Sequence, residues 1–242
     1  MIDLHTHILP GIDDGARTLE DALDMARAFV ADGVTAVAAT PHVRDDYPTT
    51  AEVMSRSVET LRRALDDEGI QLTVHPGAEL AVDRIARLGE AELRGLTLAG
   101  SGRYVMVETP YYGWPVELVE RLLGLRVAGF TPVLAHPERN GEVQANPGLL
   151  APLVHGGTLV QVTAASLDGR LGPRSRETAA RLVATGTAHL VASDAHTPDI
   201  RAAGMRAAVA AIRDEALAAW LVADVPRALV AGRDLPARPP TV

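Results

Sequence analysis

A chain of 242 residues with 47% apolar content is long enough for one large domain with a full core, and its composition excludes several function classes at once. It has no cysteine, which rules out disulfides, thiolate metal sites and a cysteine nucleophile. A formal net charge of −8 without any basic block argues against an electrostatic nucleic-acid binder, although bound metal ions can still create a local phosphate site. No apolar run approaches a bilayer-spanning length, and Asp3 and His5 interrupt the apolar start, so neither membrane insertion nor a signal peptide is expected and the protein is read as cytoplasmic.

The first predicted strand is the opening Met-Ile-Asp-Leu-His-Thr-His, in which His5 and His7 are spaced i, i+2 and therefore share one side. Two imidazoles converging at a strand end can chelate a divalent ion. A Pro- and Gly-containing loop with Asp13, Asp14 and Gly15 follows. Thr18 N-caps a helix marked by Leu19, Ala22, Leu23, Ala26, Phe29 and Val30, with Gly33 beyond its end. Residues 34–40 read as a buried strand ended by Pro41-His42. Thr49 with Glu52 forms a capping-box pattern for a second helix running to Gly69. The next strand, 70–74, leads to Gly77-Ala-Glu79, and a short helix is expected over 83–88. Residues 104–107 form a strand ending at Glu108.

Pro115 can occupy the first turn of the following helix, which Gly129 closes. The strand 131–135 ends at His136-Pro-Glu-Arg139-Asn140, and Asn146-Pro147 opens another helix to about His155. A strand at 158–162, a helix at 174–184 and a strand at 189–192 lead to Ser193-Asp194-Ala-His196. Helices from about Ala202 complete the chain, and the Pro-rich tail 235–242 is expected to lie loosely on the surface.

Seven short strands alternate with helices, which implies parallel strands covered by helices in a single domain over 1–242. The candidate ligands His5, His7, Asp14, His42, Glu79, Glu108, His136, Asp194 and His196 follow successive strands, where a β/α barrel places its chemistry. An open doubly wound sheet would gather them near one switch point instead, and no Gly-rich phosphate loop follows the first strand. The other histidines, His75, His155 and His189, have ordinary readings at a turn, a helix end and a strand start.

The segments His5-Thr-His7, Asp13-Asp14-Gly15, Thr40-Pro41-His42, Gly77-Ala-Glu79, Glu108, Ala135-His136-Pro-Glu-Arg139 and Ser193-Asp194-Ala-His196 together resemble the polymerase and histidinol phosphatase (PHP) superfamily. The similarity is closest to its bacterial branch of metal-dependent protein-tyrosine phosphatases, which act on the tyrosine kinases of capsule and exopolysaccharide synthesis. The resemblance implies a distorted seven-stranded (β/α)7 barrel, related to the TIM barrel, holding three divalent ions. It assigns His5, His7, Glu79 and Asp194 to the first ion, Glu79, Glu108 and His136 to the second, and Asp14, His42 and His196 to the third. It also puts Arg139 and Arg201 where that branch carries substrate-binding arginines, and it leaves Tyr111, Tyr112 and Trp114 without a role.

Elementary chemistry agrees. Mixed His and carboxylate ligation suits Mn, with Fe or Zn as alternatives, better than Ca or Mg. A metal-bridging hydroxide is available near neutral pH for in-line attack on phosphorus. A guanidinium binds phosphate oxygens bidentately. The reading is a phosphomonoesterase acting on a phosphotyrosine protein. A small-molecule phosphatase such as histidinol-phosphate phosphatase, or a metal-binding regulatory module without catalysis, is the alternative. An amidohydrolase would need a bridging lysine, which no strand end supplies. Oligomeric state is left open.

Overall fold

A computed structural model describes residues 1–197 and 204–240. Its strands are β1 (Ile2–Thr6), β2 (Ala36–Ala39), β3 (His42–Arg44), β4 (Tyr47–Pro48), β5 (Thr73–Pro76), β6 (Glu79–Leu80), β7 (Tyr104–Glu108), β8 (Thr131–Ala135), β9 (Leu159–Thr163) and β10 (Leu190–Ala192). Parallel pairing joins β1–β2–β5 in one sheet and β10–β9–β8–β7–β6–β3 in another, with β4 added antiparallel to β3. The seven expected staves are present, but the second and third are each broken, into β2/β3 and β5/β6. Pro41, in the first break, has no N–H to give to a ladder. Gly77, in the second, lies so close to the first break that a Cβ there would meet Thr40 Cγ2 at 3.3 Å and Ala39 O at 3.4 Å.

The ring comes round to β1 through a seam rather than a ladder. Thr6 and Ala195 form an isolated parallel bridge, Asp194 N–H donates to His5 O at 2.9 Å and His7 N–H to Ala195 O at 2.9 Å. The buried Asp3 carboxylate ties the seam by accepting from Ser193 N at 3.0 Å and His5 N at 3.2 Å. Burial pushes Asp3 up to about 6, against the lowering effect of its Ser193 bonds. The apolar strands, such as Val105-Met-Val107 and Val133-Leu-Ala135, are completely buried, as expected of parallel strands covered on both faces.

Helix Leu19–Ala31 starts as expected: Thr18 Oγ1 accepts from Asp21 N at 3.1 Å and Asp21 returns the bond to Thr18 N at 3.0 Å. Helix Ala51–Asp67 starts one residue later than its capping-box pattern suggests. Its N-cap is Thr50, which accepts from Val53 N, because the β4 hairpin keeps the chain extended and draws Thr49 into the interior. Pro115 stands at the N-cap of helix Val116–Val127, just before its first turn. The short helix expected at 83–88 is displaced to Val82–Ile85, with another at Glu90–Gly95. Helix Pro173–Ala184 agrees, and C-terminal helices begin at Met205; the expected start at Ala202 lies outside the described residues. Among the described residues no helix is long and apolar enough to cross a membrane.

The tail differs from expectation. As far as Arg238 it is tied down: Trp220 Nε1 donates to Pro236 O at 3.1 Å, and Arg238 donates to Val183 O at 2.7 Å and Ala188 O at 3.3 Å. The Arg238 guanidinium also lies over the Trp220 ring, 5.5 Å from its centroid. Proline-rich composition signals lack of regular structure, and these contacts use backbone carbonyls that composition does not reveal.

His189, beside this tail, gives a pH dependence of stability. Its Nδ1 accepts from Val160 N at 3.1 Å, so the native imidazole is neutral. Burial, reinforced by the Arg238 charge, lowers it to about 4. Between that value and the ordinary histidine value of about 6.5, the unfolded chain binds more protons than the folded one, so stability is complete above the upper value and is lost as pH falls. For this partly solvated ring the loss is about 2 kcal/mol. Urea midpoints at pH 7.5 and 4.5 should therefore fall further in wild type than in His189→Asn; equal falls would refute the assignment.

Candidate metal centre

All nine expected ligands converge on one side, at the C-terminal ends of unbroken strands or just beyond the breaks in the two interrupted ones. His5 and His7 project from β1, His42 opens β3, Glu79 opens β6, Glu108 ends β7, His136 follows β8, Asp194 and His196 follow β10, and Asp14 comes from the loop after β1. Glu79 is the hub: its Oε2 lies 3.3 Å from His5 Nε2, 3.6 Å from His7 Nε2 and 3.1 Å from His42 Nδ1, and its Oε1 is 2.9 Å from His136 Nε2. Asp194 Oδ1 is 3.4 Å from both His5 Nε2 and His7 Nε2. Asp14 Oδ1 reaches His42 Nε2 at 3.4 Å and His196 Nε2 at 3.3 Å. Three sets of donor atoms each fall within 4.8 Å of one another: His5, His7 and Asp194; His5, Glu79 and His136; and His7, Asp14, His42 and His196. Glu108 stands at the edge, 3.9 Å from His42 Nδ1, and enters none of these sets.

The tautomers follow from the surroundings. The Gln161 amide orientation is set because its Oε1 accepts the His136 backbone N–H at 3.2 Å. The same oxygen lies 3.0 Å from His5 Nδ1, so that nitrogen carries the proton. His7 Nδ1 lies 2.7 Å from the Asp13 carboxylate and is likewise the protonated one. The Nε2 lone pairs of both rings then face each other at 3.3 Å and face the oxygens of Glu79 and Asp194. Acceptors gathered against acceptors in a buried space call for a cation. Glu79 Oε2 and His42 Nδ1, buried and facing each other at 3.1 Å without the alignment of a hydrogen bond, make the same demand. The donor set therefore fits divalent metal ions of the kind that take mixed imidazole and carboxylate ligands.

Where no ion is held by these lone pairs a proton takes its place, and the groups then depend strongly on one another. Burial alone pushes Glu79 up, but the charge of His5 and bonds from His136, His42 and His5 hold its carboxyl well below the usual range. Asp194 behaves alike: burial is outweighed by His5 and His7. His7, which burial opposes, is held well above the ordinary value chiefly by Asp13. Glu108 is pushed up by burial and then by the Glu79 charge.

The backbone is bent to bring these groups in. His136 and Asp194, neither of them glycine, adopt left-handed conformations with φ of +38° and +52°. Such residues persist where the surroundings over-determine them, and they cluster at functional sites. The loop from His7 to Ala16 folds back so closely that a Cβ on Gly15 would lie 2.0 Å from His7 O. The turn after β8 is anchored by Glu138, whose Oε1 accepts from Thr163 N at 3.0 Å and Ser166 Oγ at 2.7 Å.

Arg139, on that turn, is largely buried. It pairs with Asp194 Oδ2 and lies over the Tyr111 ring at 4.8 Å, and Tyr111 in turn stacks on His136 with centroids 5.9 Å apart. Tyr111 is thus a wall of the site, while Tyr112 is almost fully exposed and Trp114 packs against the core. Arg201 lies outside the described residues. His75, His155 and His189 enter none of the donor sets.

The residues that sequence reasoning missed are those that orient the ligands: Asp3, Asp13, Gln161, Glu138 and Arg44, whose Nη1 lies 3.5 Å from Glu108 Oε1. A glutamine inside the apolar run Leu-Val-Gln-Val of β9 was the available signal for Gln161. Outer partners of this kind typically affect metal affinity by about 10- to 100-fold. Gln161→Leu should weaken metal binding by that order, measured by competition with a chelator, with the fold retained; unchanged affinity would remove Gln161 from this role.

Comparison with known proteins agrees with this geometry. Residues 1–226 match the family model described as capsular polysaccharide synthesis, CpsB/CapC. The tyrosine-protein phosphatase YwqE of Bacillus subtilis (strain 168) is 37% identical over 206 residues, covering 83% of this chain and 79% of that one. CapC of Staphylococcus aureus is 31% identical over 200 residues, covering 81% and 77%. A solved structure, from work on YwqE of Bacillus subtilis and CpsB of Streptococcus pneumoniae as unique metal-dependent tyrosine phosphatases, superposes with a TM-score of 0.89 at 32% identity and covers 100% of both chains.

Proposed function

The chain belongs to the CpsB/CapC family of capsular polysaccharide synthesis, and from that membership we propose that it is a metal-dependent protein-tyrosine phosphatase of the PHP type. The observation that carries the reading is the buried convergence of imidazole and carboxylate donors, with lone pairs facing one another, beside the Arg139 guanidinium. The proposed substrate is a phosphotyrosine on a protein, specifically a tyrosine kinase of polysaccharide synthesis in the cytoplasm, and the whole chain is proposed to act as one catalytic domain.

Three divalent ions, Mn foremost, are proposed. His5, His7, Glu79 and Asp194 would hold the first, Glu79, Glu108 and His136 the second, and Asp14, His42 and His196 the third. The donor sets support the third group, with His7 added, and most of the first, whereas the second set pairs Glu79 and His136 with His5 and leaves Glu108 at the edge. Bound there, the ions would supply a water of lowered pKa and positive charge for the phosphoryl oxygens. The chain's own residues do the rest. Glu79 gathers four imidazoles on one carboxylate. Gln161 and Asp13 hold His5 and His7 in the tautomer that presents Nε2. Arg139 and Arg201 would bind the phosphate oxygens, since a guanidinium has five donors and no lone pair for a metal. A phenol of pKa about 10 leaves without the full protonation that an alkoxide needs, which lessens the demand for a general acid.

The test is turnover by the Mn-loaded protein of a phosphotyrosyl peptide, a phosphoseryl peptide of the same sequence and histidinol phosphate. A preference for the phosphotyrosyl peptide on the order of 100-fold in kcat/KM, equivalent to about 2.7 kcal/mol, is expected. Faster turnover of histidinol phosphate would replace this reading with the small-molecule phosphatase.

A further inference from the structure

Two cavities include residues of the donor cluster, and they differ in chemistry. One, of about 290 Å³, is lined by Asp14, Gly15, Ala16, Arg17, Asp21, His196 and Thr197, more polar than apolar. The other, of about 510 Å³, begins at Glu108 and runs between Ala81 and Val82 on one side and Pro110 and Pro115 on the other. Its charged groups are Glu108 at the inner end, with Asp83, Glu117 and Arg121 completing the lining. Glu108 is shared between this groove and the proposed metal centre: its Oε2 is 3.9 Å from His42 Nδ1, and Glu79 Oε2 is 3.1 Å from the same nitrogen.

We infer that this groove is the aryl subsite: it receives the aromatic ring of the phosphorylated residue while the phosphate lies at the donor cluster, with Ala81, Val82, Pro110 and Pro115 as its walls. The inference deepens the phosphatase reading and rests on it. A phosphate ester carries its leaving group directly on the phosphoryl oxygen, so an aryl substrate needs an apolar slot that starts at the phosphate site. Of these two cavities, the Glu108 groove has the larger and predominantly apolar wall. The two prolines make one wall stiff before the ligand arrives, which reduces the ordering cost on binding. Asn140 fixes the same wall by donating from its side-chain amide to Pro110 O at 2.6 Å and to Gly113 O at 2.8 Å. That amide belongs to the residue directly after Arg139, so the groove wall and the phosphate-binding turn are built as one piece. Val116, between the lining residues Pro115 and Glu117, is 70% exposed and offers further apolar surface to neighbouring residues of a protein substrate.

The experiment is calorimetric titration of the Mn-loaded protein with methylphosphonate and with benzylphosphonate. These two probes share the anionic head and differ by the ring. Wild type should bind benzylphosphonate more tightly by on the order of 10- to 30-fold, the gain expected from burying one aromatic face and edge. Ala81→Trp, which fills the groove, and Val82→Asp, which makes its wall polar, should each bring the ratio towards one. Methylphosphonate affinity should stay as in wild type. A wild-type ratio near one, no binding of either phosphonate, or a ratio retained in both variants would overturn the inference. Hydrolysis of a phosphotyrosyl peptide by the same wild-type sample is read separately. A benzyl gain without hydrolysis would overturn the phosphatase reading and leave the aryl subsite standing. Hydrolysis without a benzyl gain would do the reverse.

Discussion

Glu79→Gln should lose at least about 1000-fold in kcat/KM, equivalent to about 4 kcal/mol of transition-state stabilisation, together with bound metal. The substitution keeps the shape of the side chain and removes its charge. Glu79 is completely buried, and its two oxygens approach His5, His7, His42 and His136 at 2.9–3.6 Å. An amide in its place offers one acceptor instead of two and turns an NH2 group toward imidazole nitrogens that are themselves needed as donors to metal. The centre would then lose the carboxylate proposed to bridge two of its groups, as well as one unit of counter-charge. Chelator-treated wild type should match the variant in activity, and added Mn should restore the wild type alone. The checks are metal content by elemental analysis and kcat/KM on an aryl phosphate with Mn in excess. Wild-type metal content and turnover in Glu79→Gln would remove Glu79 from the centre and with it the proposed division of the ligands.

Much of this site is legible in the sequence because the chemistry recurs in one place per strand. A buried apolar run can be read from residue type, and so can the polar residue that ends it. Glu108, His136 and Asp194 stand at such ends, His42 and Glu79 just beyond the breaks that follow β2 and β5, and parallel strands bring these positions together. The partners that orient them leave a weaker trace. Asp13 and Asp14 are adjacent carboxylates, and only the folded loop shows that one bonds His7 while the other reaches His42 and His196. Gln161 reads as a polar interruption of a strand, and its two bonds are to residues far away in sequence. Asp3 looks like part of a polar strand start, yet it closes the seam to Ser193.

The element boundaries fail for a similar reason. Thr49 and Thr50 are equally good caps by type, and the short β3–β4 hairpin decides between them. The tail is held through carbonyl oxygens of Val183 and Ala188, which every residue possesses and no sequence pattern marks. Local pattern therefore predicts where chemistry stands along each strand, and non-local hydrogen bonds decide how it is aimed.

Arg139→Ala should lower kcat/KM by about 30- to 1000-fold, from about 2–4 kcal/mol of lost stabilisation, by analogy with removing one donor to a developing oxyanion. The structure adds a second consequence to the simple phosphate-binding role. Asp194 presents Oδ1 to His5 and His7 and Oδ2 to Arg139, so the guanidinium also fixes which oxygen faces the donor cluster. Tyr111 beneath the guanidinium holds its plane, leaving other N–H groups of the fork for substrate. Removing Arg139 should therefore weaken metal binding as well, by up to about the 10- to 100-fold typical of an orienting partner. With Mn far above its dissociation constant the ions are restored, and the remaining defect is the phosphate contact. Arg139→Lys separates the two effects. It keeps one positive charge near Asp194 but cannot reproduce the planar fork, so metal binding should recover more than turnover does. The measurement is kcat/KM on an aryl phosphate against Mn concentration for wild type and both variants. Curves for Arg139→Ala that rejoin wild type at saturating Mn would confine Arg139 to holding Asp194 and would take it out of phosphate binding.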